Sequence, residues 1–190
     1  MSDSCGDCIC DGDINGDGYD DLIIGMTNNG SRSDLNAFVY YGSPEGFTEK
    51  RMTPLPAPMC VSVATGDLNG DGKQDVAMVC KANLESEHQV RIFYQTDLGL
   101  EMTRFIDTGV QANQIAVSDL DRDGFADLVT RSIDGEIRIY WGSEAGIKPE
   151  EYTPVPIALD EPELTPKEIE KELLHSDYNA DAPPLVKVLS

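Results

Sequence analysis

Short apolar runs bounded by turn residues recur along this chain. Residues 22–26 (Leu-Ile-Ile-Gly-Met), 76–80 (Val-Ala-Met-Val-Cys) and 128–131 (Leu-Val-Thr-Arg) are brief and rich in β-branched side chains, which reads as buried strand. Residues 61–65 and 114–118 read the same way, just upstream of the second and third runs. Aromatic strands follow at 37–42, 90–94 and 137–142. Each leads into a turn that ends in glycine plus an apolar residue: Gly46-Phe47, Gly99-Leu100 and Gly146-Ile147. A fourth, less apolar strand is expected at 48–52, 101–105 and 150–153. The pattern returns about every 50 residues. Four antiparallel strands, with an apolar inner hairpin and a more polar outer strand, describe a propeller blade.

The predicted fold class is therefore all-β, built from tandem four-stranded antiparallel blades of a partial β-propeller. The expected division is 1–56 for a first repeat with a Cys-rich start, 57–109 for a second and 110–158 for a third. Residues 159–190 are left for an acidic linker and a degenerate fourth repeat. There Thr165-Pro-Lys-Glu168 has the capping-box pattern with proline at the first helical position, predicting a short helix over 166–175.

The polar stretches between the apolar runs carry the candidate chemistry. Residues 13–21, 67–75 and 119–127 each fit D-x-[DN]-x-D-G-x-x-D. A hard divalent cation such as Ca²⁺ takes six to eight oxygens at roughly 2.3–2.6 Å. One turn can supply them from side chains at positions 1, 3, 5 and 9 and a backbone carbonyl at position 7. The expected ligands are Asp13, Asn15, Asp17 and Asp21 with the Tyr19 carbonyl; Asp67, Asn69, Asp71 and Asp75 with that of Lys73; and Asp119, Asp121, Asp123 and Asp127 with that of Phe125. Glycine at position 6 (Gly18, Gly72, Gly124) lets the chain double back. A polar Asx turn explains a single copy, but turn chemistry alone does not demand a carboxylate at position 9 three times. Three Ca²⁺ sites are expected, the third being tightest because it has four carboxylates. A fourth loop at Asp177, Asn179 and Asp181 lacks the glycine and the last carboxylate and reads as dead or weak.

The helix–loop–helix calcium motif closes with Glu at position 12; Ile24, Met78 and Thr130 stand there and exclude it. Dockerin-type modules continue as an amphipathic helix, whereas these loops run into strands. The three loops, the strand 21–25, and the segments 40–47 (Tyr-Tyr-Gly-Ser-Pro-Glu-Gly-Phe) and 140–147 (Tyr-Trp-Gly-Ser-Glu-Ala-Gly-Ile) together resemble FG-GAP repeats. Those are the calcium-binding blades of integrin α-type propellers and of bacterial secreted proteins. The resemblance covers about residues 8–155 and weakens in the second repeat, where Gln95 replaces the first glycine of that turn. It implies metal loops that rigidify blades rather than touch a ligand, and a ring of more blades than three.

Composition narrows the partners. A net charge of −21 over 190 residues argues against nucleic acid and anionic membranes, which need basic patches. No apolar run is long enough to span a bilayer, and Met1–Cys10 has neither the basic start nor the apolar core of a signal peptide. The chain is expected to be extracellular or at the cell surface, and to be an oligomer or part of a longer chain. Of five cysteines, Cys60 and Cys80 lie on strands flanking the second loop. If Ser62 faces Met78, the two thiols face each other, giving either a cross-strand disulfide or two buried thiols. Cys5-Gly-Asp-Cys8-Ile-Cys10 lacks the fourth ligand of a zinc site; a Cys5–Cys8 or interchain link is open to it.

No nucleophile elbow or phosphate loop is present, and His88 and His175 lie in polar surroundings that suit solvated side chains. The chain is not expected to be an enzyme. The favoured reading is a calcium-stabilised propeller-type module for adhesion, assembly or binding of a protein or carbohydrate ligand. The alternatives are a self-assembling structural protein and the non-catalytic part of a calcium-dependent secreted enzyme.

Overall fold

The computed structural model describes residues 8–27, 35–83, 85–132 and 134–156. The 166–175 helix, the loop at Asp177, Asn179 and Asp181, and Cys5 lie outside them. All regular structure among the described residues is strand. The first sheet takes β1 (Cys8–Gly12), β2 (Asp21–Gly25), β3 (Ala37–Tyr40) and β4 (Met52–Leu55). The second takes β5 (Ser62–Gly66), β6 (Asp75–Lys81), β7 (His88–Phe93) and β8 (Ile106–Gln111). The third takes β9 (Gln114–Ser118), β10 (Asp127–Arg131), β11 (Ile137–Tyr140) and β12 (Thr153–Val155). Each is an antiparallel meander whose strand order follows the chain. The architecture is all-β, in tandem four-stranded blades.

Alternation along the strands decides which faces meet. Ile23, Ala37, Val39 and Leu55 on one face of the first sheet pack against Val76, Met78, Cys80 and Phe93 of the second. The opposite face of the second sheet presents Ala77, Val79, Val90 and Ile92 to Leu128 and Tyr140 of the third. Most of these side chains are fully buried, each contributing about 1.5–3 kcal/mol when it is a large aliphatic or aromatic group. The first strands of the blades lie side by side, β1 on β5 and β5 on β9.

The outer strands begin later than the sequence pattern suggests. Residues 48–51, 101–104 and 148–151 form turns instead, closed by hydrogen bonds from Arg51 N to the Thr48 carbonyl, Arg104 N to Glu101 and Glu151 N to Lys148. The expected alignment of the second blade is also corrected. Ser62 pairs with Val79 and Val63 with Met78, one step away from a Ser62–Met78 pairing, and one step reverses the facing of side chains. Cys60 lies ahead of the strand, so of the two alternatives for Cys60 and Cys80, a cross-strand disulfide or two buried thiols, the disulfide has no register to support it. His88 is half-buried rather than solvated, its Nε2 lying 3.0 Å from the Met59 carbonyl.

In the second blade a buried arginine pairs with a partly exposed aspartate. Arg91, 4% exposed, donates from Nε and Nη2 to Asp107 at 2.6 and 2.8 Å and from Nη1 to the Pro56 carbonyl. Its guanidinium stacks 3.9 Å from the Phe105 ring centroid.

Candidate metal centres

The three acidic stretches each join the first two strands of a blade: β1 to β2, β5 to β6 and β9 to β10. They share one internal scaffold. The position-1 carboxylate takes two backbone N–H groups. Asp13 accepts from Asp17 and Gly18 at 3.0 and 2.8 Å, Asp67 from Asp71 and Gly72 at 3.0 and 2.7 Å, and Asp119 from Asp123 and Gly124 at 3.2 and 3.1 Å. The position-3 oxygen of Asn15, Asn69 or Asp121 accepts from the position-5 N–H. The position-5 carboxylate accepts from the N–H of Tyr19, Lys73 or Phe125, the residues predicted to offer carbonyls. The side-chain oxygens thus gather over a short arc of backbone donors.

That arc requires left-handed backbone. Gly18, Gly72 and Gly124 sit at φ 87°, 81° and 98°. Position 4 is left-handed as well, with Gly16 and Gly70 both at 72°, but in the third loop it is Arg122 at 65°, a conformation L side chains resist.

Position 9 does something the pattern did not announce. Asp21, Asp75 and Asp127 are buried, and each ties its loop to the turn after the third strand of its own blade. One oxygen takes the position-2 N–H of Ile14, Leu68 or Leu120. The other takes the N–H of Gly42, Gln95 or Gly142 at 2.8, 2.9 and 2.9 Å. At Gly42 and Gly142 a Cβ would collide with the carbonyl of Asp20 or Ala126, so glycine permits this close approach. Those N–H donors escaped the sequence reading; the Tyr-Tyr-Gly and Tyr-Trp-Gly segments were the signal available.

Burial pushes the Asp75 carboxyl up to about 7, against the pull of the Gln95 and Leu68 N–H groups; burial likewise raises Asp21. A carboxylate held in that state favours a neighbouring cation, which restores its ionised form. In the third loop, carboxylate oxygens of Asp119, Asp121 and Asp127 lie within 4.8 Å of one another, close enough to share an ion. Asp123 is not part of that group. In the first two loops protein cations approach position 5: Arg51 Nη2 lies 3.2 Å from Asp17, and Lys73 Nζ lies 3.9 Å from Asp71 and 3.1 Å from Asp97. Among the described residues Asp123 makes no such ion pair. The donor set is all hard oxygen, without thiolate or imidazole, and fits Ca²⁺ rather than a transition metal.

Neighbouring loops touch. Ala126 N donates to the Asp67 carbonyl at 2.8 Å, and the Phe125 ring occupies the space a Cβ on Gly70 would need. Residues 13–16 of the first loop and 72–74 of the second line a common cleft with Gln95.

Residues 13–78 match the family described as FG-GAP-like repeat, a span that covers the first two acidic loops. No curated protein matches the chain.

Proposed function

We propose, from the match of residues 13–78 to the FG-GAP-like repeat, that this chain is a calcium-binding β-propeller-type module working in an extracellular setting, where Ca²⁺ stiffens the blades and the blade surfaces serve adhesion or ligand binding. The observation that carries this reading is the repetition of one carboxylate scaffold in three loops, each anchored by a buried aspartate. The ligands are the three sets at positions 1, 3, 5 and 9, with the carbonyls of Tyr19, Lys73 and Phe125. The chain's role is to bind rather than to catalyse: its grouped carboxylates are committed to backbone N–H donors and, when loaded, to the ion. The partner is a protein or a carbohydrate. No helix among the described residues is long and apolar enough to cross a membrane.

Calorimetric titration with Ca²⁺ tests the reading. Three sites are expected, the third loop filling first because it has four carboxylates and no competing ion pair at position 5. One site or none overturns the reading; a different filling order overturns only the ranking.

A second reading, that copies of the chain associate, is favoured by the end sheets. Leu22 and Ile24 occupy the places of Val76 and Met78, the residues that pack on a preceding blade. Among the described strands nothing packs on their face of the first sheet, and Ile9 beside them is 65% exposed. On the third sheet Val129, Ile137 and Ile139 stay half-buried and Trp141 is exposed. The two open faces match as the packed ones do, head to tail. Light scattering in millimolar Ca²⁺ should give a mass above 20.7 kDa; a monodisperse monomer contradicts this second reading.

A further inference from the structure

Cys8 opens the first strand of the first blade, and Cys60 lies in the connection entering the second. Their Sγ atoms are 3.4 Å apart. Two features bring them there. Cys8 pairs with Gly25 across the β1–β2 ladder, and Cys60 N donates to the carbonyl of Met26 at 3.1 Å. Both thiols therefore converge on the end of β2. At that end Gly25 leaves the room: a Cβ there would collide with both sulfurs. Gly25 has no left-handed backbone to explain it, so the space for two sulfurs is the physical reason for a glycine at the end of this strand.

We infer that Cys8 and Cys60 are a disulfide site that staples the first blade to the second. The other cysteines among the described residues, Cys80 and Cys10, are placed less well for Cys60. Cys80 is fully buried, and the β5–β6 register does not set it opposite Cys60. The Cys10 sulfur turns to the Asp11 carbonyl at 3.6 Å. Contact with Cys8 and burial hold the Cys60 thiol well above the ordinary range, so the half-buried Cys8 is the sulfur that meets the oxidant. The oxidant is a small-molecule disulfide such as glutathione disulfide. Cys8 attacks it, releasing one thiol and forming a mixed disulfide. Cys60 then displaces the second thiol. One S–S bond forms and one breaks, and the two protein thiol protons leave on the two small thiols.

The test uses the full chain carrying Cys5→Ser and Cys10→Ser, equilibrated with glutathione disulfide, alkylated and digested with trypsin. The expected product joins peptide 1–32 to peptide 52–73, with Cys80 alkylated. The oxidised chain should melt roughly 5–15 °C above its reduced form, because the bridge closes a loop of about 50 residues. Cys8→Ser should abolish both the cross-link and the oxidation-dependent shift, and at the edge of the core it disturbs the packing less than Cys60→Ser would. A product joining 52–73 to 74–81, a purely intermolecular link, or complete alkylation after oxidation would overturn the assignment.

Discussion

Gln95 in the second blade donates from Nε2 to the carbonyl of Ile14 in the first acidic loop, at 3.2 Å. The bond crosses between two blades and both partners are buried. It arises where the repeat departs from its own pattern, since the first and third blades carry Gly42 and Gly142 at this place and make only the backbone contact to the position-9 aspartate. Gln95 keeps that contact and adds a side-chain arm.

Gln95→Ala should therefore cost about 1–3 kcal/mol, because it strands a buried carbonyl. Thermal unfolding is the measurement, with a fall of roughly 2–4 °C per kcal/mol for a chain of this size. An unchanged melting temperature would mean that the arm is ornamental.

Two loop substitutions should move stability in opposite directions. Gly18→Ala meets nothing within 4 Å, so its cost is purely the left-handed backbone, about 1–2 kcal/mol. Arg122→Gly releases the same strain at the price of unfolded-chain entropy, leaving a net gain of about 0.5–1 kcal/mol. Denaturant midpoints of the two variants check the pair; a loss at Arg122→Gly would show a role for that side chain that outweighs its backbone.

Asp107→Asn should leave the Arg91 guanidinium buried without its charge partner. With Asp107 itself about a third exposed, water relieves part of the deficit, so a loss of about 2–3 kcal/mol is expected. Denaturation monitored by circular dichroism should show it, whereas a change below about 0.5 kcal/mol would mark the pair as superficial.

Chelation should lower stability by mass action. For sites of ~0.1 mM affinity in ~1 mM Ca²⁺, each contributes about 1.4 kcal/mol and three about 4 kcal/mol. Asp119→Ala should remove one such share, and melting curves with and without EDTA measure both. Identical curves would reduce the loops to turns.

How much of this could be read from the chain follows from what each element depends on. The β9 strand at 114–118 and the three loops were legible because their signals are local: alternation in one case, fixed spacing in the other. The alignment of Cys60 was not, because residues 56–61 leave the strand period. Met59 there is left-handed, at φ 56°, and the ladder becomes regular only at Ser62. The late start of the outer strands was hidden for a similar reason, since the mostly polar and charged residues at 48–51 and 101–104 serve turns as well as outer strands. Arg91 with Asp107, Gln95 with Ile14 and Cys8 with Cys60 are tertiary pairs, and no window along the chain contains both members at a telling spacing.

The strand order within each sheet has a kinetic consequence. Among the described residues every ladder joins strands that are adjacent in the chain, so these sheets do not wait for distant segments before their hydrogen bonds can form. Closing such short loops is entropically cheap, and folding that relies on near neighbours is fast. On a ribosome all four strands of the first blade have emerged with Leu55, and the second blade then covers its apolar face. Cys8 is then already in position when Cys60 follows a few residues later. The described blades should therefore gain protection in order from the first sheet to the third, and pulse-labelled hydrogen exchange is the measurement that checks this order.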